Sequence, residues 1–240
     1  MNSTEIMTNV ILSSVLEPIP NKQGCTSKHC DWQEKSKFEY FLIAGVNIGK
    51  CFYELSERII KNNYKQPLIY DIAYQAQKES LKNRNGGKIN FGIIELFVPI
   101  ITAQVMFRDD SISVLDKVKD VLDHTTKEDV EYHLLFRKLA RSVSKALPNT
   151  TEYNVENLYQ YYKQDKGYEN LIHKEYLTGF PTIKKVYAYL SEHLQNILDA
   201  TIEIYTAILE SCNGYYGLAA DYICIGLYFI LNQYPSIKII

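Results

Sequence analysis

A chain of 240 residues with 46% hydrophobic side chains can bury a sizeable core, and no Ser-, Gly- or Pro-rich tract divides it, so a single domain over residues 1–240 is expected. The formal net charge of −2 provides no broad basic surface, which argues against nucleic acid as a partner and leaves room for a local phosphate site. Five cysteines make an odd count, and Met1-Asn2-Ser3-Thr4-Glu5 lacks the basic start of a secretory signal, so a reduced, cytoplasmic protein is expected.

Helical periodicity dominates, with no convincing series of strands, and the expected fold is all-α with roughly nine or ten helices. The first helix covers Thr4 to Leu16 and stops at Glu17-Pro18-Ile19-Pro20. Asn21 to Lys35 reads as a polar loop. A long helix follows from Phe38 to about Asn62, with one apolar face through Phe41, Leu42, Gly45, Ile48, Phe52, Leu55 and Ile59; Ala44, Gly45 and Gly49 admit a close neighbour. Pro67 suits the first turn of the next helix, which runs to the break at Gly86-Gly87. Another helix spans Asn90 to about Phe107, and Ser111 to Leu122 is amphipathic.

Thr126 followed by Glu128 and Asp129 is a helix-start signature, and that helix should reach Ala146 before Pro148. From Thr151 come a short segment to Lys163, a second from Gly167, a break at Thr178-Gly179-Phe180-Pro181, a long helix to about Ser211, and a last helix from Tyr216. The apolar run Tyr215 to Leu231 contains Asp221 and two glycines and falls short of the ~20 apolar residues of a membrane span, so it reads as a buried helix and no membrane partner is expected.

Three stretches concentrate chemistry. In Arg84-Asn85-Gly86-Gly87-Lys88-Ile89-Asn90, adjacent glycines let the backbone approach a ligand, the following helix offers unpaired N–H groups to an anion, and Lys88 adds a charge; a plain turn between helices is the alternative. Asn90 suits a helix cap, whereas Glu95, one turn into an apolar run, should face a cavity or pair with a lysine. Pro20 to Asp31 gathers Lys22, Cys25, Lys28, His29, Cys30 and Asp31. Zinc on Cys25, His29, Cys30 and Asp31 is disfavoured because no second Cys/His pair stands at a typical spacing. Mg²⁺ held by Asp31 together with phosphate oxygens suits that ion's habit of taking few carboxylates, and a solvated loop is the other reading. His124-Thr125-Thr126 with Asp129 reads chiefly as a cap.

These segments resemble the triphosphoribosyl-dephospho-CoA synthase family, particularly its archaeal branch. Gly86 to Ile93 is similar to its Gly-Gly-Asn-x-Asn/His-x-Gly-Ile stretch, and Ile93 to Ile100 takes the place of the Leu-Leu-x-x-Pro-Leu helix that follows. Lys22, Gly24, Asp31 and Phe38-Glu39-Tyr40-Phe41-Leu42 fall in the order of its Lys-Pro-Gly-Asn-Val, His/Arg-x-Asp and Phe-x-x-Phe-Leu elements. His124 to Val130 resembles Leu-x-x-Thr-Thr-x-x-Asp-Ala, and Lys174-Glu175-Tyr176-Leu177-Thr178-Gly179-Phe180 resembles Arg-Glu-Tyr-x-x-Gly-Phe. The chain departs from the pattern at Gln23 (proline), Lys88 (asparagine), Lys174 (arginine) and Glu210 to Gly214, where an Arg-Lys pair is missing.

The resemblance implies an Mg²⁺-dependent transferase that moves the triphosphoribosyl group of ATP to 3′-dephospho-CoA, or a related CoA-like nucleotide, and releases adenine. It implies Lys22, Gly24, Gly86, Gly87, Lys88, Gly92 and Lys174 as phosphate or nucleotide ligands, Asp31 as the metal ligand, and Asp31, Asn90 and Glu95 as catalytic residues. A homodimer stays open. The departures support an alternative: a family member without the chemistry, serving as a nucleotide-binding or helical interaction protein.

Overall fold

In the computed structural model, which describes residues 2–31, 36–85, 87–108, 112–142 and 179–236, α1 (Ser3–Leu16) starts from a capping box. The Asn2 side chain accepts from the Glu5 N–H at 2.9 Å, and the Glu5 carboxylate accepts from the Asn2 N–H at 2.8 Å. α1 packs along α2 (Phe38–Lys61). A Cβ on Gly49 would meet Ile11 at 2.5 Å, and one on Gly45 would meet Ser14 and Val15 at 3.1 Å, so the small residues of α2 are what bring α1 close.

α4 (Phe91–Phe107) is the centre of the molecule: every residue from Phe91 to Val105 is buried. α2, α3 (Tyr70–Ser80), α5 (Val118–Asp123) with its preceding 3-10 turn Ile112–Lys117, and α9 (Tyr216–Gln233) enclose it. α6 (Lys127–Ser142) lies on α3, while α7 (Phe180–Glu192) and α8 (Ile197–Ile208) complete the side next to α9. The fold is all-α, with nine α-helices and no strand among the described residues; Ser27 and Cys30 form an isolated bridge. No single helix among them is long and apolar enough to cross a membrane.

Three expectations about the helices need correction. The chain from Phe180 to Ser211 is not one helix but α7 and α8, broken at His193, whose N–H bonds to Leu190 O and whose Nδ1 sits 2.7 Å from Tyr189 O. α3 begins at Tyr70 and not at Pro67, because a carboxylate from α6 takes the N–H groups of Ile69 and Tyr70. Of the stretch expected from Ser111 to Leu122, Ile112–Lys117 winds as 3-10 and only Val118 onward as α5. The segments expected between residues 151 and 178, and with them Lys174, lie outside the described residues, as does Gly86.

Candidate functional site

The turn that leads into α4 is braced from below by Arg84. Its Nε donates to Ser80 O and its Nη1 to Gly87 O at 3.0 Å, while its Nη2 is buried without a hydrogen-bond partner. Burial lowers its pKa to about 10. Asn90 closes the turn in the left-handed region, at φ 58° and ψ 18°, a conformation that asparagine tolerates better than most residues. It was expected to cap α4 through its side chain, and it does not: the backbone carbonyl accepts from Ile94 N at 2.8 Å, but no side chain caps the helix. The first-turn N–H groups of Phe91, Gly92 and Ile93 thus stand at the positive end of a 17-residue helix with no side-chain acceptor among the described residues.

Lys88 lies beside them, half-buried, with Nζ 4.1 Å from the centre of the Phe91 ring. Burial pushes its pKa down to about 8, against the pull of Asp221 and Glu95 and helped by the positive charge of Arg137. Asn90 is only 5% exposed, and neither Oδ1 nor Nδ2 has a hydrogen-bond partner, an uncommon condition for a buried amide.

Glu95 sits beneath the turn, fully buried, and among the described residues it meets an arginine and a histidine. Its Oε1 accepts from Arg137 Nη2 at 2.9 Å and lies 3.0 Å from His133 Nε2, so α4 is tied to α6 by a buried charged cluster. The His133 ring packs edge-on against Tyr70, and Phe136 stacks on Phe91 with centroids 4.5 Å apart. His133 and Arg137 were not singled out from the sequence. The signal was present: with Val130 and Ala140 they occupy one stripe at spacings of three and four, the stripe that an amphipathic helix turns inward.

The Pro20 to Asp31 loop is stapled to α8 and α9. Tyr205 donates its hydroxyl to Gln23 O at 2.6 Å, and Cys25 Sγ lies 3.4 Å from the same hydroxyl. Gly24 has φ +73°, and a Cβ there would fall 2.3 Å from the Tyr216 ring, so tyrosine packing accounts for this glycine. Lys22 is buried, donates to Glu17 O and lies 3.1 Å from Glu17 Oε1. Its ammonium faces an internal carboxylate. Asp31 is exposed, and its Oδ1 accepts from Phe38 N at 2.8 Å at the start of α2. Asp221 of α9 contributes to the electrostatics of both Lys88 and Cys25.

No group of three or more His, Cys, Asp or Glu side chains suited to a metal ion exists among the described residues. Cys25 is half-buried, its thiol pushed up to about 11 chiefly by burial and next by Glu17. Asp31 engages Oδ1 with the Phe38 N–H and keeps Oδ2, and Mg²⁺ takes few carboxylates, completing its shell with water and substrate oxygens. Asp129 is buried and structural: Oδ1 accepts from Ile69 N and Tyr70 N, Oδ2 from Thr126 N and Oγ1. A surface groove of about 690 Å³ between Tyr53 and Pro67 lies at the opposite end of α3 from the glycine turn; Glu54 and Glu57 face Arg58 and Lys61 there, a balance unsuited to polyphosphate.

The head of α4, without a side-chain cap from Asn90 and with Lys88 and Arg84 beside it, is set in an all-helical core. Residues 3–213 match the family model of ATP:dephospho-CoA triphosphoribosyl transferase, CitG, and the chain belongs to that family of transferases. No curated protein and no solved structure matches the chain.

Proposed function

We propose that this protein transfers the triphosphoribosyl group of ATP to 3′-dephospho-CoA or a related nucleotide acceptor, in the cytoplasm, and that the triphosphate is held at the head of α4. The observation that carries this reading is the set of uncapped N–H groups at Phe91, Gly92 and Ile93 beside Lys88 and the buried Arg84 guanidinium. A polyphosphate needs such convergent positive groups, and an N-terminal helix turn after glycines supplies them without side-chain obstruction. Magnesium enters with ATP as part of the substrate.

In the reaction the C1′–N9 bond breaks and its electron pair leaves with adenine; an acceptor hydroxyl oxygen bonds to C1′, and its proton ends on the released base. Positive charge grows on the ribose meanwhile. The protein's share is to fix both nucleotides in register and to stabilise the charges that develop. Glu95 serves as a positioning residue, since its pairing with Arg137 and His133 sets how α6 meets the floor of the site.

Lys22 and Asp31 favour a second reading, a nucleotide-binding protein without turnover, because one is paired with Glu17 and the other bonds the start of α2. Incubation with Mg-ATP and dephospho-CoA, followed by chromatography for adenine, separates the two. Adenine release supports the transferase. Protection of the fold by ATP, worth about 2.7 kcal/mol at 100 times the dissociation constant, without adenine would establish the binding protein instead.

A further inference from the structure

We infer that Asn90 and Phe91 form the seat of the adenine base, an assignment that rests on the phosphate site proposed at the head of α4. The Asn90 amide is enclosed, yet donor and acceptor are both unmatched and neither serves the helix that it precedes. A planar group that offers one donor and one acceptor side by side is the complement of the adenine edge formed by N7 and the N6 amino group. Guanine and hypoxanthine carry an oxygen at position 6, which would oppose the asparagine oxygen.

The next residue supplies the face. Phe136 covers one side of the Phe91 ring at 4.5 Å and an interplanar angle of 6°, which leaves no space for an ammonium between the two rings. Lys88 Nζ, 4.1 Å from the ring centre, therefore occupies the other side, and the Arg137 guanidinium carbon lies farther off, 5.9 Å from that centre. A triphosphate bound at the adjoining N–H groups draws this cation to itself and clears an aromatic face next to Asn90, on which a base stacks. A donor held at N7 also stabilises the electron pair that the departing base takes from C1′–N9, so the subsite would act on the leaving group as well as on binding.

Titration calorimetry with Mg-ATP, Mg-inosine triphosphate and inorganic tripolyphosphate tests the assignment. The wild-type protein should prefer ATP to inosine triphosphate by about tenfold, the discrimination expected of one two-pronged amide contact. Asn90→Gly, which keeps the left-handed backbone without strain, should reduce that ratio to about one, and Asn90→Asp, which loses the donor, should reduce it too. Equal binding of the two nucleotides by wild type, or a ratio that survives in Asn90→Gly, overturns the base seat even when tripolyphosphate binds; a trapped water would then explain the amide. Failure of wild type to bind tripolyphosphate or ATP overturns the phosphate site and the base seat together.

Discussion

The Glu95 carboxylate lies 2.9 Å from the Arg137 guanidinium, both buried, and this contact joins the central helix to α6 directly under the glycine turn. Its partners are unequal in consequence. Glu95→Leu takes one carboxylate partner from a buried guanidinium and should destabilise by about 3–5 kcal/mol, whereas Glu95→Leu/Arg137→Met removes both charges and should recover most of that loss. Urea denaturation of the two single variants and the double variant measures the coupling. Additive losses would mean that the two side chains act independently.

Lys88 makes stability depend on pH. Its pKa falls from 10.5 to about 8 in the folded chain, so between those values the unfolded chain binds more protons, and stability from this group rises with pH. The contribution is fully present above about 10.5 and is lost as pH drops through 8. Lys88→Met should therefore be more stable than wild type at pH 7, with the difference shrinking toward pH 10; a constant difference across that range would contradict the burial of a titrating lysine.

The same lysine sets a pH limit on anion binding. Only the protonated form attracts phosphate, so tripolyphosphate affinity should decline as pH rises through 8, and binding at pH 8 should take up protons. Calorimetry in buffers of different ionisation enthalpy reads this directly. No proton uptake, or an affinity flat from pH 7 to 9, would remove Lys88 from the site.

Asp129 bonds the start of α3 and the start of its own helix through four donors at 2.8–3.0 Å. Asp129→Ala strands the buried N–H groups of Ile69 and Tyr70 and should cost about 3 kcal/mol, or roughly 6–12 °C in Tm for a chain of this size. Asp129→Asn keeps an acceptor and should lose less. A wild-type melting temperature in Asp129→Ala would refute the double cap, and equal losses in the two variants would show that the carboxylate charge and not the acceptor count holds it.

The beginnings of α1, α2, α4 and α9 were legible because apolar periodicity, prolines and caps are local signals. The start of α3 was not, since Asp129 reaches it from 59 or 60 residues away in sequence. Nor was the break at His193, which no glycine or proline marks. At the site, the sequence pointed to the Gly87–Lys88–Asn90 turn and to the oddity of Glu95, but the neutralising partners His133 and Arg137 come from another helix. The contacts of Lys22 with Glu17 and of Gly24 with the Tyr216 ring had no local signal, because a lysine or a glycine in a loop has the same appearance whatever it meets.

The central claim is that a triphosphate held at Lys88 supports transfer of its ribosyl group. Adenine formation from Mg-ATP and dephospho-CoA, followed chromatographically for wild type, Lys88→Arg and Lys88→Ala, tests it most directly. Wild type should release adenine in a one-to-one ratio with the triphosphoribosylated acceptor, Lys88→Ala should lose about tenfold or more in kcat/KM, consistent with loss of one charge-assisted contact, and Lys88→Arg should fall between. Adenine no higher than the enzyme-free blank, or a Lys88→Ala variant as active as wild type, would contradict the account.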